Sequence, residues 1–178
     1  EIISAHCSQV CLVGFSSGGA LSLLLASEQL DGLAGVITIS VPVKFMNKNM
    51  VFVPLLHTAN KLMSWVPSYE GIMPFRPNDN TEHPNINYRS MPVHALFELR
   101  LMVSELEDRL QHIHCPVLIL QADQDPVVDP ESADIILEKL GSSDKRLEII
   151  RSKRHGTLYE DIGNTRQLIL DYLETLGD

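Results

Sequence analysis

Cysteine is scarce in this 178-residue chain: Cys7, Cys11 and Cys115 are odd in number and match neither a disulfide framework nor a metal-ligand spacing. Each lies in or beside an apolar run, so they read as buried thiols suited to a reducing, cytoplasmic compartment. No apolar run approaches the roughly 20 residues that cross a bilayer, and no signal-peptide pattern opens the chain, so stable membrane insertion is not expected. Positive charge is also short, with 14 Lys and Arg against 23 Asp and Glu and a formal net charge of −9. Many of the acids fall on the outer faces of expected helices after Glu105, which argues against nucleic acid or an anionic membrane as a partner. Internal repeats and low-complexity tracts are missing too. What is left is an ordinary globular composition, 44% hydrophobic and 21% charged, at the size of one domain.

Against that background one stretch is distinctive, Val10-Cys11-Leu12-Val13-Gly14-Phe15-Ser16-Ser17-Gly18-Gly19-Ala20-Leu21. An apolar run short enough for a buried strand meets a Gly-Ser cluster, and a helix-forming run follows at once. Gly14 to Gly18 fits G-x-S-x-G, in which a nucleophilic serine sits on a strained strand-to-helix turn. The turn calls for small residues two positions either side of the serine, where a Cβ meets crossing backbone. Ser16 has Gly14 and Gly18 at those offsets, whereas Ser17 has Phe15 behind it, so Ser16 is the candidate nucleophile. The competing readings are a plain strand-to-helix turn, or a phosphate cradle at a helix N-terminus. The cradle is disfavoured because no Gly-Lys-Ser/Thr follows the glycines.

Strands and helices then alternate. Ser16 to Leu30 is nearly apolar all round, as befits a helix buried against a sheet, and Asp31-Gly32 is expected to stop it. Gly35 to Val41 is too continuously apolar for a one-sided sheet and fits a parallel strand covered on both faces. Seven of the ten prolines fall between Pro42 and Pro92, along with Trp65. Short helical pieces such as Val53 to Val66 and turn-rich pieces such as Phe75 to Pro84 mark an insertion, and a helix is expected from Pro92 to Gln111. Pro116 to Leu120 is the third strand. Asp129 caps the next helix, with Pro130 at its first position and Gly141 past its end. Leu147 to Ile150 is the fourth strand, and a last helix spans Asp161 to Leu176 with Leu168, Ile169, Tyr172, Leu173 and Leu176 buried. Such alternation implies an α/β fold with a mostly parallel sheet flanked by helices. Its core is 1–41 with 112–178, and 42–111 is a helical cap or lid insertion.

A serine hydroxyl becomes a nucleophile when a base takes its proton and a third group holds that base. In the elbow architecture the order along the chain is Ser, acid, His. The segment after the third strand, Gln121-Ala122-Asp123-Gln124-Asp125-Pro126, offers two carboxylates. Six of the seven histidines (His6, His57, His83, His94, His112, His114) precede them. Only His155 follows, in the loop after the fourth strand. It is the candidate base.

With GFSSGG, ITISVPV, the insertion, CPVLILQADQDPVVDPESA and the His155 loop in sequence, the whole chain resembles the α/β-hydrolases. Within them it is similar to bacterial carboxylesterases and monoacylglycerol lipases. The resemblance puts the acid on Asp125, immediately before the Pro-Val-Val tripeptide, and leaves Asp123 as a loop-shaping residue. It implies an oxyanion hole built from the Ser17 N–H and one N–H of an earlier loop. It implies a serine hydrolase that cleaves small-molecule acyl esters through an acyl-enzyme, with no cofactor and no metal. The same triad would also serve an acyltransferase, and a non-catalytic binding module on this fold is the reading from a different class. Where relatives often carry Ser-Gly-His, this chain has Lys153-Arg154-His155-Gly156. Several strands and the oxyanion loop precede the elbow in relatives, while this chain opens, without Met, almost at the elbow. The expectation is therefore the C-terminal part of a longer hydrolase, with the missing N-terminal segment as its partner and the Val10 strand as an unpaired edge.

Two further signals are weaker. Met46, Met50, Met63, Met73, Met91 and Met102 all lie in the insertion or the helix after it, where they either line a site for an acyl chain or fill a small irregular core. His112-x-His114 could place two imidazoles on one face of a strand, but no third ligand stands at metal spacing.

Overall fold

The computed structural model describes residues 6–64 and 92–177. Trp65, Met73, Met91 and the turn-rich stretch from Phe75 to Pro84 lie outside them. The chain divides into two compact units, Glu1–Met46 with Val103–Asp178, and Asn47–Met102.

The first unit is built on four strands: β1 (Val10–Phe15), β2 (Leu33–Ile39), β3 (Val117–Ala122) and β4 (Lys145–Ile150). They form one sheet in the order β1-β2-β3-β4, with every pair parallel. All six β3 residues are buried and so are the last five of β2, as their continuous apolar runs require when both faces are covered. The helices are α1 (Ser17–Ala26), α4 (Glu131–Lys139), α5 (Thr165–Leu176) and the C-terminal turns of α3 (Val93–Arg109). Because the strand order never reverses, right-handed crossovers put α1, the C-terminal turns of α3 and α4 on the same side of the sheet. The chain leaves β4 with no further strand to pair among the described residues, and α5 packs on the opposite face. There Ile37, Ile39, Leu118, Leu120, Ile150 and Tyr172 form a buried cluster that Leu168, Ile169, Leu173 and Leu176 extend. Thus the expected α/β architecture with a parallel sheet is the one observed.

Several local expectations are corrected. Helix α1 ends at Ala26, not Leu30, because the Ser27 hydroxyl donates to Leu24 O (2.6 Å) and Gln29 turns left-handed at φ 53°. Gly32 does adopt a positive φ of 76° but serves the turn into β2. The last helix starts at Thr165, four residues late, since Asp161, Gly163 and Asn164 all have positive φ. At α4 the start falls one residue later than expected, with Pro130 as the N-cap and Glu131 first, while the Asp129 carboxylate accepts the Glu131 N–H at 3.1 Å. His112 closes a 3-10 turn (Leu110–His112) instead of sitting on a strand, and the His114 ring faces Gly141 O at 3.3 Å. Of the three thiols only Cys11 and Cys115 are partly buried, and burial pushes both up in pKa; Cys7 is exposed.

In the second unit a 3-10 turn (Lys48–Phe52) leads into α2 (Val53–Met63), with Pro54 in the first turn, where its missing N–H costs nothing. The Asn47 side chain accepts the Asn49 N–H at 3.0 Å. His57 of α2 stacks on Phe97 (4.2 Å, 5°) and His94 (5.2 Å, 21°) at the start of α3. Arg100 donates to Met50 O at 2.9 Å. Among the described residues no helix is long and apolar enough to cross a membrane.

Candidate active site

Parallel strands deliver all their C-terminal ends to one rim of a sheet, and side chains placed just past those ends can converge there. Ser16 follows β1, Asp125 follows β3 and His155 follows β4. The three come together. His155 Nε2 lies 2.9 Å from Ser16 Oγ, and His155 Nδ1 lies 2.7 Å from Asp125 Oδ2.

Ser16 sits at φ 53°, ψ −126°, a conformation that costs a non-glycine residue about 1–3 kcal/mol. The strain is held from both sides. The Ser16 N–H donates to Ile39 O (2.8 Å), fixing the turn to β2, while Ser16 O accepts from Gly19 N (2.9 Å) and Ala20 N (3.2 Å), starting α1. A Cβ on Gly14 would lie 2.5 Å from Gly18 O and from Gly19 Cα, all of it backbone. Gly18, expected to be the second obligatory glycine, has nothing within 4 Å of the same position, so that expectation is corrected. The tight approach belongs to Gly19 instead, where a Cβ would meet a Val41 methyl at 2.6 Å and Gly14 O at 2.9 Å. The clue was present in the sequence as the third glycine of the run, but only the crossing of α1 over β1 tells the two apart.

Asp125 divides its two oxygens. Oδ1 accepts the Val127 and Val128 N–H groups at 2.8 and 2.9 Å, and Oδ2 takes His155. A carboxylate only accepts, so Nδ1 carries the ring proton and donates it, and the Nε2 lone pair is left facing the Ser16 hydroxyl. The Asp125 side chain is fully buried and that of His155 is 14% exposed. Burial by itself raises the Asp125 pKa, but the hydrogen bond and charge of His155, with the Val128 and Val127 N–H groups, outweigh it and hold the carboxyl below its ordinary value. A carboxyl that titrates lower in the folded chain stabilises the fold above its ordinary pKa of 3.8, and the contribution drains away as pH falls through the lowered value.

The remaining neighbours frame this line. The Phe15 ring packs at 4.8 Å and 44° against the imidazole, a contact with no signal in the sequence. Arg154, one of the two cations before His155, pairs with Glu160 at 2.6 Å. Ser17 is the first residue of α1, and a helix offers no internal acceptor to its first N–H groups. That N–H therefore stands at the positive end of the helix dipole, beside Ser16. The other carboxylate, Asp123, is engaged by the backbone: its Oδ1 accepts the Ser152 N–H at 2.8 Å.

A family profile described as serine aminopeptidase, S33, matches residues 3–162. The chain is 26% identical over 156 residues to the thermostable monoacylglycerol lipase of Bacillus sp. (strain H-257), covering 86% of this chain and 57% of that protein. It is 23% identical over 168 residues to a carboxylesterase of Bacillus subtilis (strain 168), covering 94% of this chain and 64% of that one. The chain thus spans less than two-thirds of the length of these relatives. Among solved structures, the monoacylglycerol lipase of Paleococcus ferrophilus superposes with a TM-score of 0.74 at 19% identity, over 98% of this chain and 72% of that one, a likeness of fold. The sheet order, the elbow and the extent of the profile match agree, and the chain belongs to the serine aminopeptidase S33 family of α/β-hydrolases.

Proposed function

We propose that this chain carries the Ser-His-Asp triad of a serine hydrolase that cleaves carboxylic esters of acyl or glycerolipid type. The observation that carries the reading is the unbroken hydrogen-bonded line from Asp125 Oδ2 through His155 to Ser16 Oγ. In this reading Ser16 Oγ bonds to the ester carbonyl carbon as Nε2 takes its proton. The oxyanion that forms accepts the Ser17 N–H. Collapse breaks the bond to the alcohol, which leaves with the proton returned by Nε2, and a water then repeats the two steps on the acyl-enzyme. Asp125 stays ionised, orients the ring and balances the imidazolium. Neither a metal nor a cofactor enters these steps. The carboxylesterase and the monoacylglycerol lipase to which the chain is similar support ester substrates. The three free thiols suit a cytoplasmic setting, and the 42–111 insertion is proposed to act as the cap that selects the acyl chain.

The test is a fluorophosphonate probe on the full-length protein, followed by a p-nitrophenyl ester series of increasing chain length. Wild type is expected to be labelled at Ser16 and to turn over esters, and Ser16→Ala to lose both, with kcat down by about 10⁶. Absence of labelling in the full-length wild type would turn the reading to a binding module. Acyl transfer to an added alcohol in place of water would turn it to an acyltransferase.

We further propose that the segment preceding these residues in the natural protein pairs with β1 and brings the second oxyanion donor. Among the described residues β1 pairs only with β2. Val13 and Phe15 on that strand and Leu21, Leu25 and Leu30 in and after α1 are exposed, and an open, apolar strand edge invites association. The 178-residue chain alone is expected to self-associate in size-exclusion chromatography and to label slowly, and co-expression with the preceding segment to give a discrete, fast-labelling species. A monodisperse chain that labels as fast by itself would sink this proposal.

A further inference from the structure

We propose that Asp123 is a positioning residue for the triad, its carboxylate standing in for a main-chain carbonyl so that the acid loop and the histidine loop are held as one piece. The inference rests on the triad reading above. In a parallel ladder a residue donates its N–H to one neighbour on the adjacent strand and accepts at its C=O from the residue two further along. Asp123 makes the first of these bonds, N–H to Ile150 O at 2.9 Å, one residue past the end of β3. The second has changed hands: the Ser152 N–H goes to Asp123 Oδ1 at 2.8 Å. Gln124 N–H then donates to Ser152 O at 3.1 Å. The side chain thus prolongs the ladder by one rung while the backbone is freed to turn, and that turn is what carries Asp125 toward the site.

The coupling runs on to the histidine. Ser152 is 9% exposed, and its Oγ accepts the Arg154 N–H at 3.0 Å, fixing the turn that presents His155. The path from Asp123 to His155 is therefore Oδ1 to Ser152 N, Ser152 Oγ to Arg154 N, and one peptide bond. On the other arm Asp125 is two residues from Asp123 and is itself fixed by the Val127 and Val128 N–H groups. Two loops from separate strands, each carrying one member of the His155–Asp125 pair, are tied by the Asp123 carboxylate oxygen together with the Gln124 N–H to Ser152 O bond, and the carboxylate is the one side-chain group among these ties. Misplacing a catalytic group by about 1 Å costs on the order of 10² in rate.

Asp123→Ala and Asp123→Asn in the full-length protein separate positioning from simple stability. Asparagine keeps an acceptor oxygen for the Ser152 N–H and is expected to stay within about 3-fold of wild type in kcat. Alanine is expected to lower kcat by about 10- to 100-fold with KM unchanged, and to weaken the low-field proton resonance of His155 Nδ1–H, while circular dichroism shows a folded protein. Should the alanine variant fail to fold, Asp123→Ser, whose hydroxyl stops about one bond short of the Ser152 N–H, is expected to give the same kcat loss. Wild-type kcat and an unshifted resonance in the folded alanine or serine variant would overturn the proposal, as would an asparagine variant as impaired as alanine. Failure of the triad reading looks different: wild type itself would then show no labelling at Ser16.

Discussion

Asp125→Asn is expected to lower kcat of the full-length protein by about 10⁴ while leaving KM almost unchanged. The reason lies in how the two oxygens are used. The inner one faces the N–H groups of Val127 and Val128 at 2.8 and 2.9 Å, and an amide NH₂ placed there would confront two donors. The asparagine oxygen therefore takes the inner position, and its NH₂ takes the outer one, 2.7 Å from His155 Nδ1. A donor at that point forces Nδ1 to accept, which moves the ring proton to Nε2, the atom 2.9 Å from Ser16 Oγ. Nε2 then holds a proton and has no lone pair for the Ser16 hydroxyl. The backbone stays in place and the chemistry stops. Steady-state kinetics on a p-nitrophenyl ester, with Asp123→Asn as the parallel control, is the measurement. An Asp125→Asn enzyme that keeps more than a tenth of wild-type kcat would remove Asp125 from the triad.

The second large effect concerns stability and contrasts two glycines of the elbow. Gly14→Ala is expected to cost about 3 kcal/mol or more, which in a chain of this size lowers the melting midpoint by roughly 6–12 °C. The added methyl would sit 2.5 Å from Gly18 O and Gly19 Cα and 2.6 Å from Gly19 N. None of these is the tip of a side chain that could rotate aside, so α1 must lift from β1, taking Ser16 with it. Gly18→Ala meets no atom within 4 Å and replaces a poor helix former near the start of α1. It is expected to be neutral or to gain up to about 1 kcal/mol. Thermal denaturation of both variants followed by circular dichroism decides the matter, and probe labelling should fall with Gly14→Ala only. Equal destabilisation by the two substitutions would show that Gly14 is not the glycine pressed against the α1 backbone.

The electrostatics of the rim add a constraint on pH. With the Asp125 carboxyl held below its ordinary value by His155 and two backbone N–H groups, its protonation lies below the usual carboxylate range. Loss of activity on mild acidification therefore reports on another group.

Much of the fold was legible because its signals are local and periodic. Apolar runs at β2 and β3, a Pro just before α4 with Asp129 preceding it, and the four-residue spacing of Leu168, Tyr172 and Leu176 each specify an element through contacts within a few residues. Alternation of strands and helices then fixes a parallel sheet, and a parallel sheet puts the ends of β1, β3 and β4 on one rim. Ser16 and His155 could be singled out on that basis, from motif and chain order. Helix ends were less legible. The early stop of α1 and the late start of α5 depend on left-handed residues, Gln29, Asp161 and Asn164; the side chain of Gln29 does not announce that conformation, and Asp and Asn only favour it.

By itself, then, the sequence determined which residue types stand after which strands, since hydrophobic pattern and turn chemistry act over short range. Only the tertiary structure decided which of two nearby carboxylates meets the imidazole, which of two adjacent glycines is pressed against backbone, and that Phe15 flanks His155. The first and last of those outcomes turn on the direction of a side chain across a gap of about 3–5 Å, between residues 30 and 140 apart in the chain, and the glycine contrast turns on how α1 crosses β1. No local preference encodes such a direction; it appears when the sheet brings the segments together.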